Sequence, residues 1–258
     1  MPRSLGRTLA LSLPRRFIAD LLWASRGVEA VTFERRMNLA PLVAARQESA
    51  ARLGWCAIFT KAYALVSARR AELRRSYLSY PWPRLHESAS NVAAIAVERR
   101  FNGEEAVLIA HLRDPERRNL DEIENWLRQC RQAPPQQISS FRRILQITRL
   151  PRPLRRLAWL LGLNWGRHRS RFLGTFGVSV TAGLGATALG VRCPLTTILH
   201  YGIFDDDGHI DVRLTFDHRV LDGGNVARAL CELEDVLRGE ILTELENGVS
   251  SFFEVRKQ

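Results

Sequence analysis

The stretch LTFDHRVLDGGNVARAL, residues 214–230, sets a histidine, two aspartates and a Gly-Gly pair between an apolar run and an apolar-periodic one. The run before it reads as a strand delivering Asp217 and His218 to its end. Asp222-Gly223-Gly224 then forms a tight turn, and Asn225 is suited to cap a helix running to about Leu237. Such a strand, turn and helix either carries a surface histidine or exists to present one. On this stretch alone both readings stand, because Asp-Gly is a common turn.

Outward from it the chain reads as mixed α and β. Residues 14–26 predict a helix with Pro14 near its start and Phe17, Leu21 and Leu22 on one face. A strand follows over 29–38, then helices over 39–53 and 55–77, and YPWP (80–83) interrupts the helical pattern. Strands over 91–100 and 105–114 flank an Asn-Gly turn, and a helix with acidic residues in its first turn covers 119–132. Strands are expected again over 173–182, 196–204 and 209–217. Runs of strands and helices without strict alternation favour an α+β class with a mixed sheet.

The 258 residues suffice for one large domain with a sizeable core, and 46% hydrophobic with 25% charged residues excludes a disordered or fibrous chain. No apolar run reaches the roughly 18 residues of a membrane span. The opening MPRSLGRTLALSLPRRF has a short apolar patch between arginines and no small-residue cleavage site, so a cytoplasmic protein is expected, with a membrane-peripheral one as the alternative. Cys56, Cys130, Cys193 and Cys231 lack metal-ligand spacing and read as buried thiols; no metal is expected. The Asp205-Asp206-Asp207-Gly208 run lacks the alternating ligands and distal glutamate of a calcium loop and reads as a turn.

The net charge of +11 is concentrated. Between Asn125 and Phe204 there is no Asp or Glu but there are twelve arginines, and Lys61 and Lys257 are the chain's only lysines. Guanidinium suits planar contact with phosphate or carboxylate. The arginines alternate with leucine more than with stacking aromatics, so nucleic acid is not the expected partner.

The octet DHRVLDGG (217–224) resembles the signature of the catalytic domain of 2-oxoacid dehydrogenase dihydrolipoyl acyltransferases, which belongs to the chloramphenicol acetyltransferase-like superfamily. GTFGVSV (174–180), CPLTTILHYG (193–202), PRRFIADLL (14–22), the strand pair around FNGEE (101–105) and RNLDEIENWL (118–127) resemble other family segments in the family's order. The resemblance covers about residues 14–240. It implies a chloramphenicol acetyltransferase-like two-layer α+β sandwich with a mixed sheet. The expected organisation is an N-terminal extension (1–13), a stand-alone catalytic domain (14–245) and a C-terminal tail (246–258), with no lipoyl or subunit-binding domain upstream.

The resemblance also implies acyl transfer from a coenzyme A or carrier-protein phosphopantetheine thioester, with no metal and no covalently bound lipoyl group. Histidine has a pKa suited to taking the acceptor's proton near neutral pH, and His218 is the candidate base. Ser179 matches the family serine that stabilises the tetrahedral oxyanion, and the family's serine and histidine come from different subunits of a trimer. Asp222 matches the motif aspartate, an organiser that pairs with an arginine of the first helix; Arg15 or Arg16 is the expected partner. Val180 and Thr181 stand where the family usually has asparagine, which makes Thr181 a candidate acceptor-binding residue. Two other readings are open: a non-catalytic oligomeric scaffold, and an acyltransferase acting on lipoyl groups of a separate protein.

One departure stands out. The family joins the acidic-start helix to the G-T-F strand by a short loop, whereas this chain inserts about residues 133–172. There Leu154, Leu157, Leu161 and Trp165 form a helical stripe beside Arg152, Arg155 and Arg156. This basic amphipathic segment suits an anionic membrane surface carrying a lipid-linked acceptor, an acidic acyl-carrier protein, or simple packing of its apolar face on the subunit body with its arginines solvated or on coenzyme A phosphates.

Overall fold

A computed structural model describes residues 6–49, 53–179, 185–186 and 188–247. Its centre is a six-stranded mixed sheet in the order β1 (Ala30–Asn38), β8 (His209–Asp217), β7 (Thr197–Tyr201), β6 (Phe176–Val178), β4 (Val92–Phe101), β5 (Glu104–Arg113). β6 is parallel to both its neighbours and the other pairings are antiparallel. A separate ribbon joins β2 (Arg75–Leu78) to β3 (Arg84–Glu87). The α+β class with a mixed sheet is the expected one.

Strand residues alternate between two faces, so Ala93, Ile95 and Val97 of β4 enter one core and Ala94 the other. The larger core takes its helical side from α2 (Ala40–Glu48), α3 (Trp55–Arg69), α4 (Leu120–Gln132) and α8 (Gly223–Val236). α3 is buried almost all round, which its apolar sequence permits only in a helix sunk into the domain. α4 is amphipathic and begins with a capping box in which Asn119 and Glu122 satisfy each other's backbone N–H.

The helix expected over 55–77 ends eight residues early. AELRRSY has good helix formers, but Arg70 turns extended and Arg75–Leu78 pairs with Arg84–Glu87 instead. Tertiary pairing overrides local propensity here.

The inserted segment folds as three helices, α5 (Ser139–Arg149), α6 (Arg152–Asn164) and α7 (Gly166–Leu173), which with α1 (Leu13–Ala24) form the second core over the opposite sheet face. Packing of the α6 stripe on the subunit body does not occur: Leu154, Leu157, Leu161 and Trp165 are each half exposed or more. Arg155 and Arg156 face inward instead, while Arg152 is exposed. Asp20 of α1, 2% exposed in its side chain, accepts from Arg155 Nε at 2.7 Å and lies 3.5 Å from Arg156, whose guanidinium sits over the Trp23 ring. A buried acid held by two guanidiniums fixes α6 with its Trp159 face inward, and the leucines follow outward.

Asp20→Ala leaves both cations without their counter-charge, so it is expected to cost about 3 kcal/mol, as loss of one partner in a buried ion pair does. Urea unfolding of the variant measures this; a loss below about 1 kcal/mol would mean the cluster does not anchor the insert.

Candidate active site

β8 ends in a backbone clamp. The Asp217 N–H donates to Thr196 O (2.9 Å), the His218 N–H to Glu29 O (3.0 Å), and the Val220 and Leu221 N–H groups return to Asp217 O. Asp217 is buried, and its carboxylate accepts from Arg219 Nε (2.9 Å), Nη2 (2.7 Å) and backbone N–H (3.1 Å). The Arg219 guanidinium in turn lies 4.3 Å from the Tyr77 ring centroid. The residues on either side of His218 are thereby tied down while its own ring stays half exposed.

The turn also sets the tautomer. His218 Nδ1 lies 3.0 Å from Leu221 O, a carbonyl that can only accept, so Nδ1 carries the proton and Nε2 keeps a lone pair. The Phe216 ring stands edge-on to the imidazole at 5.7 Å. The Gly-Gly pair has a steric cause at Gly223, where a Cβ would sit 2.7 Å from Phe33 Cζ.

Asp222 does not meet the arginines of the first helix. Its exposed carboxylate is 3.8 Å from His218 Nδ1, and its N–H donates to Asn225 Oδ1 at the start of α8. Arg16 instead donates to Leu11 O, and the Arg15 N–H to Ser12 Oγ, in the first turn of α1. The acid of α1 takes its arginines from the insert, and the carboxylate beside the histidine motif that is paired with arginine is Asp217 with Arg219. That i,i+2 pair is readable in Asp-His-Arg as two charges on one side of a strand end.

Ser179 follows β6, which the chain enters at Gly174 with φ +95°, a conformation glycine favours. Its N–H donates to Leu199 O (3.1 Å), and its carbonyl accepts from His200 Nδ1 at 2.9 Å. His200 is buried; its Nδ1 holds the serine's backbone, while its Nε2 has no hydrogen-bond partner among the described residues. Continuing the registers puts Ser179 level with His200 and His218 level with Leu195. Five residues at about 3.3 Å each separate the two along the sheet by ~16 Å. Within one chain, Ser179 and His218 do not meet. Thr181 and Val180 lie outside the described residues.

Of the four thiols expected to be buried, Cys130 is, Cys56 and Cys193 are partly so, and Cys231 is exposed on α8. Burial pushes the Cys193 thiol up to about 12, opposite to an activated nucleophile. Asp205 Oδ1 accepts the N–H groups of Asp207 (3.1 Å) and His209 (2.8 Å), the expected turn. Arg169 of α7 is buried and donates to Leu163 O (2.8 Å) and Pro194 O (2.5 Å), tying the insert to the segment that enters β7; burial pulls its pKa down to about 10.

On the insert side of the sheet Ser179 also borders an apolar cavity of about 220 Å³ between α1, α5 and strands β4 to β7. His111 lines it, and burial lowers its pKa to about 4. Between pH 4 and the ordinary value of 6.5 an unfolded chain binds a proton that the folded chain refuses. Its contribution to stability is therefore complete above about pH 6.5 and is lost as pH falls toward 4, by up to about 3 kcal/mol. His111→Leu should flatten the fall in urea midpoint between pH 7 and pH 4.5; an unchanged fall would assign it to other groups.

No protein-family model matches the sequence, and no curated protein matches it. Solved structures do. Azotobacter vinelandii dihydrolipoamide acetyltransferase, studied for the roles of a serine, a histidine and an asparagine in its catalytic mechanism, superposes with TM-score 0.65 at 18% identity over 93% of this chain and 95% of that one. A truncated catalytic core of the 2-oxoacid dehydrogenase multienzyme complex from Thermoplasma acidophilum gives 0.62 at 15% over 91% and 99%. A probable dihydrolipoamide acetyltransferase from Listeria monocytogenes gives 0.61 at 17% over 90% and 94%.

Proposed function

We propose that this chain, which has the fold of dihydrolipoamide acetyltransferase catalytic cores, is an acyltransferase moving an acyl group from a coenzyme A or carrier thioester to a nucleophilic acceptor. The observation that carries the reading is the His218 imidazole, held by Leu221 O in the tautomer whose free Nε2 can accept a proton.

In the proposed reaction the acceptor's proton passes to Nε2 as its heteroatom attacks the thioester carbonyl carbon. The carbonyl oxygen gains charge in the tetrahedral adduct and accepts from a Ser179 hydroxyl. When the adduct collapses, the C–S bond breaks and the proton on Nε2 goes to the leaving thiolate. No acyl-enzyme forms. Because Ser179 and His218 are about 16 Å apart along one sheet, a site using both joins two copies of the chain, and a homo-oligomer is part of the proposal.

The test follows loss of thioester absorbance with acetyl- and octanoyl-coenzyme A and a panel of thiol, amine and hydroxyl acceptors that includes free dihydrolipoamide. Acceptor-dependent loss supports the reading, and a response to dihydrolipoamide would favour action on a separate lipoyl protein. No acceptor-dependent loss by the intact oligomer would leave the scaffold reading.

A further inference from the structure

The cavity beside Ser179 owes its walls to the insert and to α1. Its floor is the sheet, with Ala94, Ala96 and Gly177 too small to fill it, and α5 closes it with Ile144 and Ile147. Side chains at 177 and 179 point to the same face of β6, so the Ser179 side chain belongs to the face that the cavity occupies. Resting on the acyltransferase reading, we propose that this cavity is an acyl-chain site, and that the thioester used carries a medium-length fatty acyl group in place of acetyl.

Length and chemistry agree with that class. From Ser179 the cavity runs across β4 to His111 on β5, two strands over and two residues along, which is ~12 Å at ordinary sheet spacings. A chain whose carbonyl lies at Ser179 would point its tail that way. The lining is predominantly apolar, and its one unpartnered polar atom among the described residues, His111 Nε2, stands at the far end of the route. The guanidinium of Arg143 donates to Arg171 O (2.9 Å), and the His111 imidazole is uncharged at neutral pH. An acetyl group would leave most of this apolar wall uncovered.

Each buried methylene strengthens binding by about fourfold. Calorimetry on the intact protein should therefore show octanoyl-coenzyme A binding at least about 10²-fold more tightly than acetyl-coenzyme A. Ile144→Trp, which fills the cavity, should remove most of that preference. Ile144→Ala, which enlarges it, should move the optimum to a longer chain such as dodecanoyl, and it decides the matter if the tryptophan variant does not fold. Equal binding of acetyl and octanoyl thioesters would overturn the proposal, as would a chain-length preference that neither variant changes. Binding without turnover would count against the acyltransferase reading, whereas turnover of acetyl thioester with no length preference would count against this site alone.

Discussion

Alanine at position 218 is expected to lower acyl transfer by about 10³-fold, within the range general-base catalysis contributes, while the molecule keeps its solution size and its melting temperature falls by no more than about 2–4 °C. The two halves of this expectation come from different observations. The imidazole's Nδ1 makes one hydrogen bond, to Leu221 O, and its ring is half exposed, so its removal costs on the order of 1 kcal/mol of folding free energy. The clamp around it does not use the side chain: Asp217 with Arg219, the His218 N–H on Glu29 O, and the Asp217 N–H on Thr196 O all survive the substitution. A site retained for stability would show the opposite balance. Initial rates with a saturating thioester, alongside a melting curve and a sedimentation profile, separate the cases. If the variant keeps full transfer, His218 is a surface histidine on a turn and the scaffold reading gains.

The elements that were legible in the sequence are those whose partners lie close in the chain. β4 and β5 meet across a two-residue turn, α4 announces itself through Asn119 and Glu122, and the strand, turn and helix around His218 follow from alternation and Asp-Gly-Gly. Asp222, however, takes the N-cap position expected of Asn225, which sits at the third helical position and closes the capping box. Where distant residues decide, local reading fails. α3 stops at Arg69 because residues beyond it pair with β3, and nothing in AELRRSY itself calls for a strand. α6 shows this most clearly, since its leucine stripe has the period of a core face. Whether that face turns in or out depends on Asp20, more than 130 residues upstream, which draws Arg155 and Arg156 inward and leaves Leu154, Leu157 and Leu161 outside. The expected pairing of Asp222 with Arg15 or Arg16 failed for a related reason. The motif specifies the carboxylate but not the position of the first helix, which the insert fixes by ion pairs of its own.

The separation of Ser179 from His218 leads to the second large effect. On the proposed mechanism Ser179→Ala removes the oxyanion donor and should cost about 10² to 10³ in rate, and His218→Ala about as much or more. Each variant alone is close to inactive. Mixed by co-expression or by joint refolding, the two should regain activity, because a site built from one copy's His218 and another copy's Ser179 needs only one intact group from each. For random assembly in a closed ring, half of the histidines and half of the serines are intact, so about a quarter of the sites carry both. The expected result is therefore about a quarter of the parent activity, against a background of about a hundredth of the parent activity or less. If both groups acted from one chain, every copy in the mixture would lack one of them and no activity would return at any ratio. The strand register already disfavours that outcome: with about five residues of sheet between them, no rotamer of histidine or serine closes the distance within a single subunit.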